Sequence, residues 1–384
     1  MILTKCAVCA TELGLSLGKK CGRCSTRYCG PECQVQHWKE GGHDQLCKKI
    51  KKAGCAEQFH ANTKYAEAVG VAVEACRGRH EGQKCYICLE AVHARTGEGL
   101  VRGCACGDRD GVSSPELGVA HVSCLAEQAK ILVEEAEENN LRGKVLTERF
   151  SRWYSCNLCE QKYHGVVRCA LGWACWKTYV GRPESDWSRA AAMTELGNGL
   201  SDAKHNEDAL SVRQARLSLM RRIGDSESNI LIAQGNLANT YKALGRLEEA
   251  IRMRREVYSG WLKLKGEEHY DTLREANNYA MNLLDLRRFK EVKAFLRKTM
   301  SVARRVLGEG NDTTLRLRCI YGQSLYRNDV ATLDDLREAV ATLEDAGRTA
   351  QRVLGGTHPV AMGIEAALRR ARAALRAREA PGGA

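Results

Sequence analysis

The stretch Asn236-Leu237-Ala238-Asn239-Thr240-Tyr241-Lys242-Ala243-Leu244-Gly245-Arg246 returns 42 residues later as Asn278-Tyr279-Ala280-Met281-Asn282-Leu283-Leu284-Asp285-Leu286-Arg287-Arg288. Gly224, Gly266 and Gly308 keep the same step, as do Thr272-Leu273 and Thr314-Leu315. The pattern comes back at Gly355 after five extra residues near Asn328 to Thr332. An earlier copy, Leu196-Gly197 followed by Glu207 to Leu210, lies 41 residues before Leu237-Ala238 and its sequel. Four copies at one period describe an array of like units, each too small to bury its apolar face alone and therefore stacked on its neighbours.

Within each unit Ala and Gly stand where two helices would touch, and Leu or Tyr where they would fill the seam, so each unit reads as a helical hairpin. This resembles the tetratricopeptide repeat, with a period longer than the usual ~34 residues. The longer period and the linker Leu354-Gly355-Gly356-Thr357-His358-Pro359 resemble the repeats of kinesin light chains, with His269 and Asn311 in the place of His358. The resemblance implies a concave groove that holds a peptide or helix. Lone His269 and His358 read as linker caps, because one imidazole has no set of co-ligands. Arg213, Arg252, Arg254, Arg255 and Arg287 are either contacts for acidic ligands or a solvated face. Ala366 to Ala380 reads as a capping helix that frays into a disordered tail.

The other half of the chain is of a different kind. Of 19 Cys, 17 precede position 170. No basic stretch followed by an apolar core opens the sequence, and no apolar run approaches the ~18 residues of a membrane span, so an intracellular protein is expected, nuclear or cytoplasmic. A reducing compartment does not sustain a disulfide framework, which makes metal ligation the better reading of these thiols.

Cys6-x2-Cys9, Cys21-x2-Cys24, Cys29-x3-Cys33 and His43-x3-Cys47 put eight ligands in 42 residues, enough for two closed tetrahedral sites. Two intervening residues let a tight turn present both ligands to one ion, and three place them on consecutive helical turns. Tyr28-Cys29, Cys33-Gln34 and Trp38 complete a resemblance to the MYND zinc finger. It implies interleaved sites: Cys6, Cys9, Cys29 and Cys33 on one zinc, Cys21, Cys24, His43 and Cys47 on the other. His37 is a lower-ranked rival to His43. MYND modules bind short proline-containing peptides, and the resemblance puts Gln34 and Trp38 at that surface. Trp38 has an alternative place in the module's core.

A second series reads Cys85-x2-Cys88, Cys104-x-Cys106, His121-x2-Cys124 and Cys156-x2-Cys159. Its order resembles the RING-CH variant of the RING finger. Cross-braced ligation would then put Cys85, Cys88, His121 and Cys124 on one zinc and Cys104, Cys106, Cys156 and Cys159 on the other, making four Zn²⁺ per chain. Leu125 to Arg149 reads as one extended helix, with Ala126, Ala129, Leu132, Val133 and Ala136 on a face. The resemblance implies contact with a ubiquitin-conjugating enzyme through Ile87 and Leu158. Glu160 stands where many active RINGs carry a basic residue, and the Trp common after the His-x2-Cys pair is absent. A purely structural zinc scaffold is the alternative. Cys169 and Cys175 lack closed-site spacing and read as packed thiols.

The organisation expected is a mainly α chain: a MYND-type finger at 1–52, a helical spacer at 53–81, a RING-CH-like module at 82–165, an aromatic connector at 166–190, and an α-solenoid of helical hairpins with its capping helix at 191–380. The net charge of +12 invites a nucleic-acid reading, but four Zn²⁺ on 14 thiolates reduce it to about +6. A nucleic-acid partner is therefore not expected, and the connector aromatics read as a packing seam. No Gly-x4-Gly-Lys loop is present. The functional reading is a zinc-binding adaptor that holds peptide segments of partner proteins. A RING-type ubiquitin ligase with the repeats as substrate receptor is the alternative. A MYND-associated methyltransferase ranks last, since a second zinc module follows the finger where such enzymes place catalytic sequence.

Overall fold

Short-range Cys and His pairing builds the first part of the chain, and apolar helix packing builds the rest. The computed structural model describes residues 6–9, 11, 13, 18–80, 82–104, 106, 118–356 and 358–379, and it divides into two units, Met1–Asp225 and Ser226–Ala384.

The first unit opens with an antiparallel pair, β1 (Lys19–Lys20) and β2 (Arg27–Tyr28), with Lys19 opposite Tyr28. Two short helices follow, α1 (Pro31–Lys39) and α2 (His43–Lys52). Pro31 suits the first helical position, where φ is pre-set and the missing N–H would have had no partner. Next comes α3 (Ala56–Ala75), capped by the Cys55 thiol, which accepts from the Gln58 amide. The second Cys-rich module has no helix among the described residues until α4 (Val122–Glu138).

The single helix expected over 125–149 is in fact broken. After α4 the chain turns through Asn139 to Gly143, with Asn140 and Gly143 at φ 53° and 59°, and resumes as α5 (Lys144–Phe150). Asn tolerates the left-handed region better than most residues, and the Leu141 amide closes the end of α4 on the Ala136 carbonyl. The break folds Leu146, Phe150 and Trp153 back onto the core that contains Ala129, Val133 and Ala136.

That core is organised by α6 (Gly165–Tyr179), which buries Trp173, Trp176 and Tyr179 and packs against α3, α4 and α7 (Trp187–Asp202). The stretch 53–81 therefore does more than span a gap, since Ala61, Tyr65 and Ala68 of α3 lie against the same cluster. Helices α6 and α7 cross at two glycines. A Cβ on Gly172 would come within 2.9 Å of the Glu195 carbonyl oxygen, and one on Gly199 within 2.7 Å of the Arg168 carbonyl oxygen. Arg182 grips Glu137 with two hydrogen bonds of 2.7 and 2.8 Å, while the Ser188 hydroxyl donates to the same carboxylate. The unit ends with α8 (Asn206–Ile223), paired with α7.

The second unit is a run of helices: α9 (Glu227–Ala243), α10 (Leu247–Lys265), α11 (Tyr270–Asp285), α12 (Phe289–Leu307), α13 (Asp312–Tyr326), α14 (Leu333–Leu354) and α15 (Pro359–Glu379). Each packs on the next, and α11 to α13 and α13 to α15 also touch, as stacked two-helix repeats require. The linkers explain the recurring glycines. Gly266, Gly308 and Gly355 hold φ of 82°, 87° and 86° with extended ψ, a combination that L side chains avoid. Three residues beyond each glycine stands a helix cap: His269, Asn311 and His358 accept amide hydrogens from Asp271, Thr313 and Val360. The five-residue extension near Asn328 ends in Thr332, which caps α14 and forms a reciprocal capping box with Asp335.

Ion pairs also follow the repeat, with Arg287–Asp329, Lys293–Asp335 and Arg337–Glu379 each joining positions 42 residues apart. The expected fraying of the C-terminus from Ala380 onward lies outside the described residues. The fold is mainly α, an N-terminal zinc-finger region followed by a tetratricopeptide-like solenoid. No helix among the described residues is long and apolar enough to cross a membrane.

Candidate metal centres

The Cys-x2-Cys pairs share one local geometry. At Cys21, Cys85 and Cys156 the cysteine amide donates to the carbonyl five residues on (Thr26, Glu90, Gln161), at 2.8, 3.0 and 2.9 Å. The amide four residues on (Ser25, Leu89, Glu160) donates back to the cysteine carbonyl, and those residues sit at φ 61°, 63° and 58°. Cys6 makes the first of these bonds, to Thr11, at 2.8 Å. Within the turn, amides point at the first sulfur: Ile87 N–H at Cys85 and Leu158 N–H at Cys156, both at 3.4 Å. Amide hydrogens aimed at sulfur stabilise the thiolate form that binds metal. Glu160 thus occupies the left-handed corner of its turn, a demand on the backbone that its side-chain type does not advertise.

These turns and the helices between them assemble four tetrads. Cys6, Cys9, Cys29 and Cys33 form one; Cys21, Cys24, His43 and Cys47 a second; Cys85, Cys88, His121 and Cys124 a third; and Cys104, Cys106, Cys156 and Cys159 a fourth, the potential ligand atoms of each lying within 4.8 Å of one another. The grouping is interleaved in the first module and cross-braced in the second.

The donor set fits zinc by distance. A tetrahedral zinc with Zn–S near 2.3 Å and Zn–N near 2.0–2.1 Å separates two sulfurs by about 3.8 Å and a sulfur from a nitrogen by about 3.6 Å. Observed sulfur pairs are Cys9–Cys29 at 3.4 Å, Cys29–Cys33 at 3.5 Å, Cys21–Cys47 at 4.0 Å and Cys106–Cys156 at 3.6 Å. His43 Nε2 lies 3.4 Å from Cys24 Sγ, and His121 Nδ1 lies 3.4 and 3.6 Å from Cys88 and Cys124. Every described cysteine is a free thiol.

Charge points the same way. In the fourth tetrad Cys156 is held down near 4, first by the hydrogen bond from Cys104, while Cys104 is pushed up by that same bond and Cys106 up to about 12 by burial. Four sulfurs this close cannot all ionise by themselves, and a dication removes the conflict. Gly118 leaves room for the cluster, since a Cβ there would lie 2.9 and 3.0 Å from the sulfurs of Cys106 and Cys104.

The two histidines use opposite nitrogens. His121 turns Nδ1 to the cluster and sets Nε2 3.4 Å from the Ala91 carbonyl oxygen, a contact that fixes ring orientation. His43 turns Nε2 inward and is walled in by the rings of Tyr28, His37 and Trp38. His37, the rival ligand, is outside the cluster, with its Nδ1 3.0 Å from the Tyr28 hydroxyl.

Gln34 and Trp38 lie one turn apart on α1, a helix with no buried residue. Gln34 is half-buried, and Trp38 is 44% exposed with one edge against His43, so it is a surface residue and not core. Ile87 and Leu158 occupy the same position in their respective turns, Ile87 half-buried and Leu158 exposed. Cys169 and Cys175 are packed among Trp173, Trp176 and Met193, and burial pushes the Cys169 thiol up to about 11.

Of the arginines read as groove contacts, Arg254 is not available. It is 2% exposed and donates to Glu275 at 2.7 Å and to Asn239. Arg287 is engaged with Asp329 at 2.6 Å and Arg213 with Asn198 at 3.1 Å, whereas Arg252 and Arg255 are exposed. The sequence signal for Arg254 was its partner, Glu275, one helix on and facing Gly235.

Comparison with known proteins agrees with this geometry at both ends of the chain. Residues 6–47 match the family model of the MYND finger, and residues 229–305 that of the tetratricopeptide repeat. The chain carries both modules. No curated protein matches it. Similar solved structures include the putative kinesin light chain repeats of Podosopora anserina, at 17% identity and TM-score 0.42, covering 61% of this chain and 98% of that one. BtubC (BKLC) from P. vanneervenii matches at 13% identity and TM-score 0.37, covering 68% and 92%. The TPR2AB domain of yeast Sti1, in a complex with pHSP90, matches at 13% identity and TM-score 0.24, covering 65% and 99%.

Proposed function

We propose that the protein is a zinc-binding adaptor that holds segments of partner proteins, with the MYND finger gripping a short peptide through Gln34 and Trp38 and the repeats offering a second groove. The observation that carries this reading is Trp38, a large aromatic left 44% exposed beside exposed Val35 on a helix with nothing buried. An indole so placed is stable in water only at the cost of unburied apolar area, and a bound apolar segment recovers it. In this reading Zn²⁺ occupies all four tetrads, held by 14 Cys together with His43 and His121. Closed sites of this kind supply folding free energy and leave no position for a reacting water.

The test is binding of the zinc-loaded chain to arrays of proline-containing peptides, beside Trp38→Ala and Gln34→Ala. Loss of binding by Trp38→Ala at unchanged zinc content is expected; full binding by both variants would remove the finger surface from the mechanism.

A second reading rests on the other module. Leu158, Leu89 and Val92 are 46, 67 and 57% exposed around its metal loops, apolar area of the sort that a ubiquitin-conjugating enzyme covers on a RING-type ligase. On this RING-CH reading Ile87 and Leu158 touch that enzyme, and the module acts by orienting a thioester. Ubiquitin discharge from a panel of charged conjugating enzymes tests it. Acceleration abolished by Leu158→Ala and Ile87→Ala supports a ligase; no acceleration leaves the module a structural scaffold.

A further inference from the structure

Between the second metal module and α6 lies a cavity of about 340 Å³ that neither reading above uses. Its charged lining comes from three places: Arg95 from the loop after Cys88, Lys130 and Glu127 from α4, and Lys177 from α6. Lys130 is spent on its own helix, 3.4 Å from Glu127 and 3.9 Å from Glu134, and the nearby Glu98 carboxylate is engaged by the Ser123 amide and hydroxyl. Among the described residues neither Arg95 nor Lys177 has a carboxylate partner. Lys177 is instead held with its ammonium 4.4 Å from the centre of the Tyr65 ring.

Burial, and then the charge of Arg95, lower the pKa of Lys177, so the two cations repel each other in a half-desolvated place. A fold that gathers like charges without a counter-ion is less stable than one that does not, unless an anion is supplied. The neutral donors around the cavity are already engaged: Ser123 on Glu98 at 2.9 Å and Thr178 on the Ala174 carbonyl at 2.9 Å. Recognition therefore falls to the Lys177 ammonium and the Arg95 guanidinium, the two cations left without a carboxylate; such groups favour oxyanions, and a pair of them suits a dianion. The exposed face of Tyr65 is covered by Lys177, so no aromatic platform is open for a nucleic-acid base.

We propose that this cavity binds a phosphate monoester dianion, presented by a phosphorylated side chain of a partner protein, with Arg95 and Lys177 as its principal ligands. The volume exceeds that of phosphate alone and leaves space for the side chain that carries it.

The experiment is isothermal titration of the zinc-loaded full chain with inorganic phosphate, with phosphoserine and with a phosphoserine peptide library, beside Arg95→Met, Lys177→Met and Lys177→Arg. Saturable single-site binding is expected, weakened about tenfold or more by either methionine variant and retained by Lys177→Arg. Arg95 is exposed, so Arg95→Met tests the site even if Lys177→Met fails to fold. Tighter binding of some phosphopeptide than of inorganic phosphate supports a partner protein as the source. Equal affinity for all three probes overturns that assignment, and absent binding, or binding indifferent to Arg95→Met, overturns the site itself.

Discussion

The MYND finger and the repeat unit solve the same problem with opposite means. In the finger the buried apolar cluster consists of Leu13, Tyr28, Ile50 and Ala56 together with four cysteines that belong to the metal tetrads, so few side chains hold it shut without the ions. The repeat unit buries a continuous cluster running from Ile251 in α10 to Ala371 in α15, including Leu283, Leu296, Leu317, Leu343 and Ile364. A small domain cannot bury enough surface to fold by hydrophobic burial alone, whereas a solenoid gains area with each added hairpin. The lesson is that one chain can carry parts whose stability responds to different variables, metal concentration in one and side-chain packing in the other.

The largest effect that tests this contrast is metal removal. Structural zinc contributes apparent values of roughly 10–16 kcal/mol in small fingers, so a chelator, or Cys24→Ala for the second tetrad alone, should unfold the finger while the helices from α9 onward persist. Native mass spectrometry should count four Zn²⁺ before treatment, and circular dichroism at 222 nm should keep most of its helical signal afterwards. Two or fewer ions would remove one module from the metal reading; collapse of the helical signal would erase the contrast.

A smaller effect is expected within the repeats. Arg254→Ala leaves buried Glu275 with only the more exposed Arg274, 3.7 Å away, a loss that approaches the roughly 3–5 kcal/mol of breaking a buried pair. The side chains of the pair are 3% and 7% exposed, so solvent does little to screen the change. Urea unfolding should show a lowered midpoint for the repeats with zinc content intact, and Arg254→Met with Glu275→Gln should restore part of the loss. A midpoint shift below that expected of an exposed residue would mean that the pair is hydrated in solution.

Smallest is the cap. Asn311→Ala removes the acceptor for the Thr313 amide at the start of α13 and should cost about 1 kcal/mol, while Asn311→Asp, which keeps the acceptor, should cost less. Equal losses in the two variants would show that Asn311 acts through something other than its cap.

Much of the metal architecture was legible because ligand chemistry is written in residue type and spacing. His43-x3-Cys47 placed two ligands on consecutive turns of α2, and the Cys-x2-Cys pairs made turns of one kind. The repeats were legible at Asn236 to Arg246 for a related reason, since a period needs only comparison of the chain with itself. Exposure was not legible. Trp38 could serve as core or surface, and the answer depended on α1 having no neighbour over that face. The helix break at Asn140 escaped composition, because a single left-handed residue changes the path without changing the apolar pattern around it.

By itself the sequence determined which atoms could bind metal, where hairpins repeat and where caps stand, since each depends on local chemistry at fixed spacing. Only the tertiary structure decided which cations are spent and which are free to act. Arg254 and Lys177 are alike as basic residues on helices, but Arg254 meets Glu275 from the next helix and Lys177 meets a ring and another cation. The strength and even the sign of an electrostatic interaction depend on distance and burial, and those are set by segments that lie far apart along the chain.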